Sequence, residues 1–554
     1  MNATKLVIIG GVAAGASCAA RARRLSESAH ITLIERGPDV SFANCGLPYF
    51  IGGEIKQRDA LAVQTPALLK ATLNLEVRTN TEAVAIDRSG KRVQLSNLAT
   101  GHIEWIDYDK LVLAPGAVPI RPDLPGMDDP RVFTLRSLSD MDRIKAAATT
   151  AQRVAVIGAG FIGLEMTEQL ARLGKQVTLV EQQQQVLPQL DPIMIGLMED
   201  ELRRHGVELI LGDGIDHFTS GNALTCHLKS GRTLEADLVV LSIGVRPDSA
   251  LARNADLALH KSGHIRVNAF MQTSNPDIYA AGDAVAVEDF VTREISAVPL
   301  GGPANRQGRL AADHIFCPTQ TRPYPGALGT AIVRAFDVAA GITGWSEKRL
   351  QAAGRAYRSV LVNAHHHANY YPDAKLLLLK LIWAPDTGRI LGAQVSGAAG
   401  VDKRLDVLAT AITGELTIED LAQLELAYAP PFGAAKDIIN LAGFAAGNTR
   451  DGLVAPVEEL PDDPNAQILD VRPPVLAKSH PVPHREVINI PLGALRGRLQ
   501  ELDRNRLVVT VCALGKTSYF AARILAQNGF QVQSLTGGIR AHYDPHTPTK
   551  PPTP

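Results

Sequence analysis

Cys45 sits alone in the run Ser41-Phe42-Ala43-Asn44-Cys45-Gly46-Leu47-Pro48-Tyr49. Cys18 lies in the preceding helical segment, and Cys226, Cys317 and Cys512 are far along the chain. One thiol cannot close a dithiol pair, so any disulfide formed in turnover is with another molecule, most simply the substrate. Gly46 and Pro48 predict a helix start, and a thiol near that positive end ionises more readily. A free cysteine is more often a small buried hydrophobe, but the place of Cys45, after a glycine-rich unit described below, argues for chemistry. A second thiol, Cys512, follows the apolar strand Leu507-Val508-Val509-Thr510-Val511 and opens Cys512-Ala513-Leu514-Gly515-Lys516-Thr517-Ser518, which leads into a helix. A loop of backbone N–H groups at a helix start suits a thiolate or persulfide anion.

Two similar segments must position this chemistry. Lys5 to Glu35 reads as a strand, the turn Gly10-Gly11-Val12-Ala13-Ala14-Gly15, a helix and a strand ending in Glu35; Arg153 to Glu181 repeats the plan with Gly158, Gly160 and Gly163. The first glycine permits the tight turn, the second a close approach of backbone to a pyrophosphate, and the third close helix packing. Val12 takes the middle place in the first copy. Glu181 suits both hydroxyls of a ribose, and Gln182 and Gln183 offer no charge to a 2′-phosphate, which favours NADH over NADPH. Leu111 to Ala117 (with Ala114 and Gly116) and Leu238 to Pro247 follow each copy as matched strand-turns, and Ile278 to Ala284 places Asp283 at a third turn.

Together these motifs resemble the flavin disulfide reductase family with two dinucleotide-binding domains. The resemblance implies FAD on the first unit, with Gly10, Gly15, Glu35, Ala114, Gly116 and Asp283 binding it, and NADH on the second through Gly158, Gly160, Gly163 and Glu181. The Cys45 segment closely resembles the single-cysteine coenzyme A-disulfide reductases over residues 1 to about 447. That likeness implies Cys45 as the redox thiol and a coenzyme A site containing Arg24, Ser41 and Asn44. Arg21 and Arg23 add phosphate contacts or a solvated helix face, and Asn305 and Arg306 lie in a further family-like stretch. Tyr370 and Tyr428 match a tyrosine pair that flanks the partner subunit's thiol. Peroxidase and oxidase relatives also use one cysteine here, but they place a histidine in the first helix, and none precedes His30 in this chain. The Cys512 segment, with Asp470-Val471-Arg472, Ile488-Asn489-Ile490-Pro491 and Leu535-Thr536-Gly537-Gly538-Ile539, resembles the rhodanese sulfurtransferases. It departs from them in carrying Thr517 where an arginine is common. Adjacent His365, His366 and His367 point in different directions on a strand, so no metal site is expected.

The chain of 554 residues, 45% hydrophobic and 20% charged, has the profile of a multidomain globular protein. A net charge of −1 with no basic stripe argues against nucleic acid, and no apolar run is long enough to span a bilayer. Five scattered cysteines and an N-terminus that enters a strand within a few residues argue for the cytoplasm. The expected fold is α/β: two Rossmann-like dinucleotide-binding domains, an α+β dimerisation domain and a C-terminal α/β rhodanese domain. The FAD domain is expected over 1–150 and 271–323, the NAD(P)H domain over 151–270, and the dimerisation domain over 324–447. A linker at 448–464, the rhodanese domain at 465–545 and a disordered tail at 546–554 follow. The expected function is a homodimeric, FAD-dependent oxidoreductase. It uses NADH and Cys45 to reduce coenzyme A disulfide, coenzyme A persulfide or polysulfide, with Cys512 carrying sulfane sulfur. An NADH oxidase or peroxidase, and a sulfur-binding redox sensor, are the alternatives.

Overall fold

The computed structural model describes residues 3–484, 486–544 and 546. All but the first residue of the expected tail at 546–554 therefore lies outside the described residues. The chain divides into two compact units, residues 1–186 with 205–329, and residues 187–204 with 330–554.

The first unit holds two five-stranded parallel sheets built to one plan. In the first, the order from one edge is Glu76–Arg78, His30–Ile34, Lys5–Ile9, Lys110–Leu113 and Ile278–Ala280. In the second it is Glu208–Leu211, Gln176–Glu181, Arg153–Ile157, Leu238–Leu241 and Val132–Phe133. Parallel sheets covered on both faces need continuous apolar strands, and the central ones, Leu6–Ile9 and Val154–Ile157, are buried throughout. A three-stranded antiparallel meander follows the outer strand in each copy, Thr81–Asp87 to Ile103–Asp107 in one and Ile215–Ser220 to Thr233–Ala236 in the other. The duplication seen in the glycine turns thus extends through the whole sheet plan.

In the second unit, the strands Ala331–Ala335, Val338–Gly344, Ile390–Gly397, Leu376–Trp383 and Arg358–His365 form an antiparallel sheet in that order. Residues 187–204, expected within the NAD(P)H domain, fold here instead. Asp191 N–H donates to Gln394 Oε1 at 2.7 Å, and Gln394 Nε2 donates back to Asp191 Oδ2 at 2.5 Å. The C-terminal sheet is parallel, in the order Pro456–Val457, Val532–Leu535, Val508–Val511, Gln467–Asp470 and Val487–Asn489. The stretch 448–464 is therefore more than a linker: it carries the end of the helix Ile438–Arg450 and an edge strand of this sheet. Among the described residues no helix is long and apolar enough to cross a membrane.

Candidate functional site

The two glycine turns are sterically closed on the protein side. A Cβ on Gly10 would stand 2.0 Å from the Ala114 carbonyl oxygen, and one on Gly15 1.8 Å from that of Gly10. In the second copy a Cβ on Gly158 would meet the Ser242 oxygen at 2.5 Å, and one on Gly163 the Gly158 oxygen at 1.9 Å. Gly160 is the exception, with open space where its Cβ would be. Gly10, Gly116 and Gly158 also have φ of +97°, +72° and +101°, a region that favours glycine. The helices that follow, Ala13–Leu25 and Phe161–Arg172, have no side-chain cap and no acidic residue in the first turn. Their leading N–H groups are left for an anion.

Glu35 and Glu181 are held alike. Glu35 accepts from the N–H groups of Gly11 and Gly37, both at 2.8 Å. Glu181 accepts from Ala159 at 2.7 Å and Gln183 at 2.8 Å. Each carboxylate is fixed at the turn with lone pairs to spare for ribose hydroxyls. Burial pushes the Asp283 carboxyl up, and the Arg136 guanidinium offsets part of that. Arg136 itself donates to the Pro115 carbonyl at 2.9 Å. The residues present fit a dinucleotide at both turns.

The Cys45 segment packs on the first turn through the Ser41 N–H, which donates to Gly11 O at 2.8 Å. Ser41 has a φ of +47°, unusual for a residue with a side chain. Cys45 is exposed and lies in a single 3-10 turn, Asn44–Gly46, that runs into the five-residue helix Leu47–Ile51. Asn44 Oδ1 accepts from the Cys45 N–H at 3.1 Å and from its thiol at 3.8 Å. The expected lowering of the thiol's ionisation is not found. Desolvation on its protein side, then the carboxylates of Glu165 and Asp283, push the thiol above its ordinary value. Glu165 is fixed by a 3.0 Å hydrogen bond from the Tyr49 hydroxyl.

Of the residues expected to meet coenzyme A, Ser41 and Asn44 lie in the Cys45 segment, and Arg21, Arg24, Asn305 and Arg306 fall on two packed helices, Ala13–Leu25 and Gly301–Phe316. A Cβ on Gly308 would stand 2.0 Å from Ala14 O, so the backbones are nearly in contact. Ser17 Oγ donates to Asn305 Oδ1 at 2.6 Å, and Arg21 Nε pairs with Asp313 at 2.5 Å. Arg24, Asn305 and Arg306 are exposed. Arg23 is not available to phosphate: it is buried, and its guanidinium donates to the carbonyls of Ser26, Glu27, Ala29, Leu73 and Asn74.

In the second unit, the phenols of Tyr370 and Tyr428 lie 3.0 Å apart, with Tyr370 72% exposed. Their hydrogen bond pushes the Tyr370 phenol above its ordinary value. The His366 and His367 rings lie 4.0 Å apart, tilted at 48°. The Cys512 sulfur is cradled as its loop predicts. It accepts N–H groups from Gly515 at 3.2 Å and Ser518 at 3.3 Å, at the start of the helix Lys516–Gln527.

The family model for pyridine nucleotide-disulphide oxidoreductases matches residues 4–307. The chain belongs to this family. The dimerisation domain of these oxidoreductases matches residues 330–437, and a rhodanese-like domain matches 453–544. A coenzyme A disulfide reductase from Staphylococcus haemolyticus is 34% identical over 448 residues, 80% of this chain and 99% of that protein. The reduced CoADR-RHD of Bacillus anthracis superposes with a TM-score of 0.95 at 44% identity, covering 99% of this chain and 100% of the other. An NAD-dependent persulfide reductase from A. fulgidus gives a TM-score of 0.92 at 38% identity, over 97% and 99% of the two chains. Within this oxidoreductase, Glu165, Arg136 and Ser518 lie beside Cys45, Asp283 and Cys512 respectively and are not among the residues that the sequence singles out. Glu165 and Arg136 carry no local motif. Ser518 was readable as the residue that closes the Cys512 loop.

Proposed function

We propose that this oxidoreductase uses NADH to reduce the sulfur–sulfur bond of coenzyme A disulfide, coenzyme A persulfide or polysulfide at Cys45, while Cys512 carries sulfane sulfur. The observation that carries the reading is an exposed, unpaired Cys45 packed against a dinucleotide turn, in a chain whose Cys512 lies in an N–H cradle. Relatives named as a coenzyme A disulfide reductase and an NAD-dependent persulfide reductase support the substrate class. Gly10, Gly15, Glu35, Ala114, Gly116 and Asp283 would hold FAD; Gly158, Gly160, Gly163 and Glu181 bind NADH. When bound, FAD supplies the two-electron redox chemistry that relays the reducing equivalents of NADH. The Cys45 thiolate attacks one sulfur of the substrate, forms a mixed disulfide and expels the other sulfur as thiolate. Reduction of that mixed disulfide restores the thiol. NADH, a proton and coenzyme A disulfide give NAD⁺ and two coenzyme A thiols; with the persulfide the products are NAD⁺, coenzyme A and hydrogen sulfide.

Arg21, Arg24, Ser41, Asn44, Asn305 and Arg306 serve the coenzyme A moiety, and Tyr370 and Tyr428 of one subunit supply a phenol to the thiolate departing in its partner. The dimerisation domain supports a homodimer, and five unpaired cysteines support the reducing cytoplasm. NADH oxidation tests the reading. Cys45→Ser abolishes turnover of coenzyme A disulfide and polysulfide alike, whereas Cys512→Ser lowers only the polysulfide rate. Retained turnover in Cys45→Ser, or oxygen consumed mole for mole with NADH, sinks the proposal.

A further inference from the structure

The geometry points to Ser518, steadied by Ser534, as the third hydrogen-bond donor to anionic sulfur on Cys512. This rests on Cys512 as the sulfur carrier. Cys512 is 2% exposed and Ser518 is fully buried, so little bulk water competes at the sulfur. The two loop residues beside Ser518, Lys516 and Thr517, are exposed.

Three hydroxyl contacts define the arrangement. The Cys512 thiol donates to Ser518 Oγ at 3.4 Å, Ser518 Oγ donates to Gly515 O at 2.9 Å, and Ser534 Oγ donates to Ser518 Oγ at 3.2 Å. When the thiol gives its proton to solvent, the Ser518 oxygen loses that donor. A rotation of its O–H from Gly515 O to the sulfur then adds a donor to the N–H groups of Gly515 and Ser518. Ser534 keeps donating to the same oxygen and polarises it toward the sulfur. Ser518 is itself fixed, because Thr510 Oγ1 donates to its carbonyl at 3.0 Å. The cradle therefore holds negative sulfur with neutral dipoles alone, which suits a site that must also release a sulfur atom.

The charged groups on the packed elements are Lys516 and Arg523 on the helix, Asp470 at the end of the neighbouring strand with its partner Arg472, and Arg540, His542 and Asp544 after the last strand. The test separates dipole from charge. Iodoacetamide labelling of Cys512 is followed across pH in the full-length, flavin-loaded enzyme by peptide-resolved mass spectrometry. In Ser518→Ala the midpoint moves up by about one pH unit, so labelling below the midpoint slows about tenfold. Ser534→Ala moves it the same way by less, and serves alone if Ser518→Ala fails to fold. Lys516→Gln and Arg540→Gln each move it less than Ser518→Ala. An unmoved midpoint in both serine variants, or a larger effect from either cation, overturns the assignment. Coenzyme A-disulfide turnover through Cys45 stays at the wild-type rate in Ser518→Ala; its loss in wild type would count against the proposed function and not against Ser518.

Discussion

Cys45 shows how far a residue's chemistry depends on neighbours that its own segment does not name. Its solitude was legible, because cysteines can be counted. Its ionisation was not, for two reasons. The helix after it has only five residues, too short to gather much dipole. Glu165 and Asp283, distant in sequence, place carboxylates that oppose the thiolate. The sign follows directly: a negative neighbour raises a thiol, so Glu165→Gln lowers the pH at which Cys45 is half-alkylated. Peptide-resolved labelling checks this, and an unchanged midpoint would mean that the Glu165 carboxylate does not act on the thiol. Arg23 and Arg24 make the same point about side chains. A helix turns about 100° per residue, so one of two adjacent arginines is buried on backbone carbonyls while the other is exposed. Arg23, expected at a phosphate or on a solvated helix face, meets neither because of that phase.

Elements with a strong local signal were read correctly; those defined by a remote partner were not. The two glycine turns are local, and their glutamates accept the same pair of backbone bonds in both copies. The strand Pro456–Val457 lies in a polar, proline-rich stretch and exists because it pairs with Ser534 and Leu535. Arg358–His365 is an edge strand, and uncovered edges invite wrong pairing. Here its edge is capped by the segment before the last helix. Leu361 N–H donates to Thr536 Oγ1 at 3.0 Å, the Thr536 hydroxyl donates back to Leu361 O at 3.2 Å, and Asn363 Nδ2 donates to Gly537 O at 2.7 Å. The same segment reaches the Cys512 loop, since Ile539 N–H donates to Cys512 O at 2.9 Å. Asn363→Ala orphans the Gly537 carbonyl at a cost of about 1–3 kcal/mol, roughly 5- to 150-fold in local opening. Hydrogen exchange at the Leu361 amide should accelerate accordingly, and more so in Thr536→Val. Exchange unchanged in both would show that the capping bonds contribute nothing to docking.

The second unit is tied together by a charge that the sequence hides in an apolar strand. Lys380, in Leu376–Trp383, is 1% exposed, and its ammonium meets Glu347 at 2.6 Å, Glu458 at 3.4 Å and Asp191 at 3.6 Å. These acids come from the segment 187–204, the dimerisation domain and the edge of the rhodanese-like domain, so one cation bridges three stretches of chain. A buried cation is tolerated only with such partners, and removing it leaves the acids uncompensated. Lys380→Met should cost about 3–5 kcal/mol, and at about 2–4 °C per kcal/mol for a unit of this size the second unit's calorimetric transition falls by about 10 °C. The first unit's transition stays in place. Glu347 adds a pH signature. Burial already pushes its carboxyl up, and Lys380 is the main influence holding it down. Without the lysine it rises further, so the folded variant binds a proton that the unfolded chain holds less tightly. Stability gained from that proton is present at low pH and lost as pH rises through the raised value. The deficit of Lys380→Met is therefore largest at neutral pH and narrows toward acid, and Glu347→Gln added to it recovers part of the loss at neutral pH. A deficit that stays constant with pH and is not eased by the second substitution would mean that lost packing of the lysine stem, rather than orphaned carboxylates, weakens the unit.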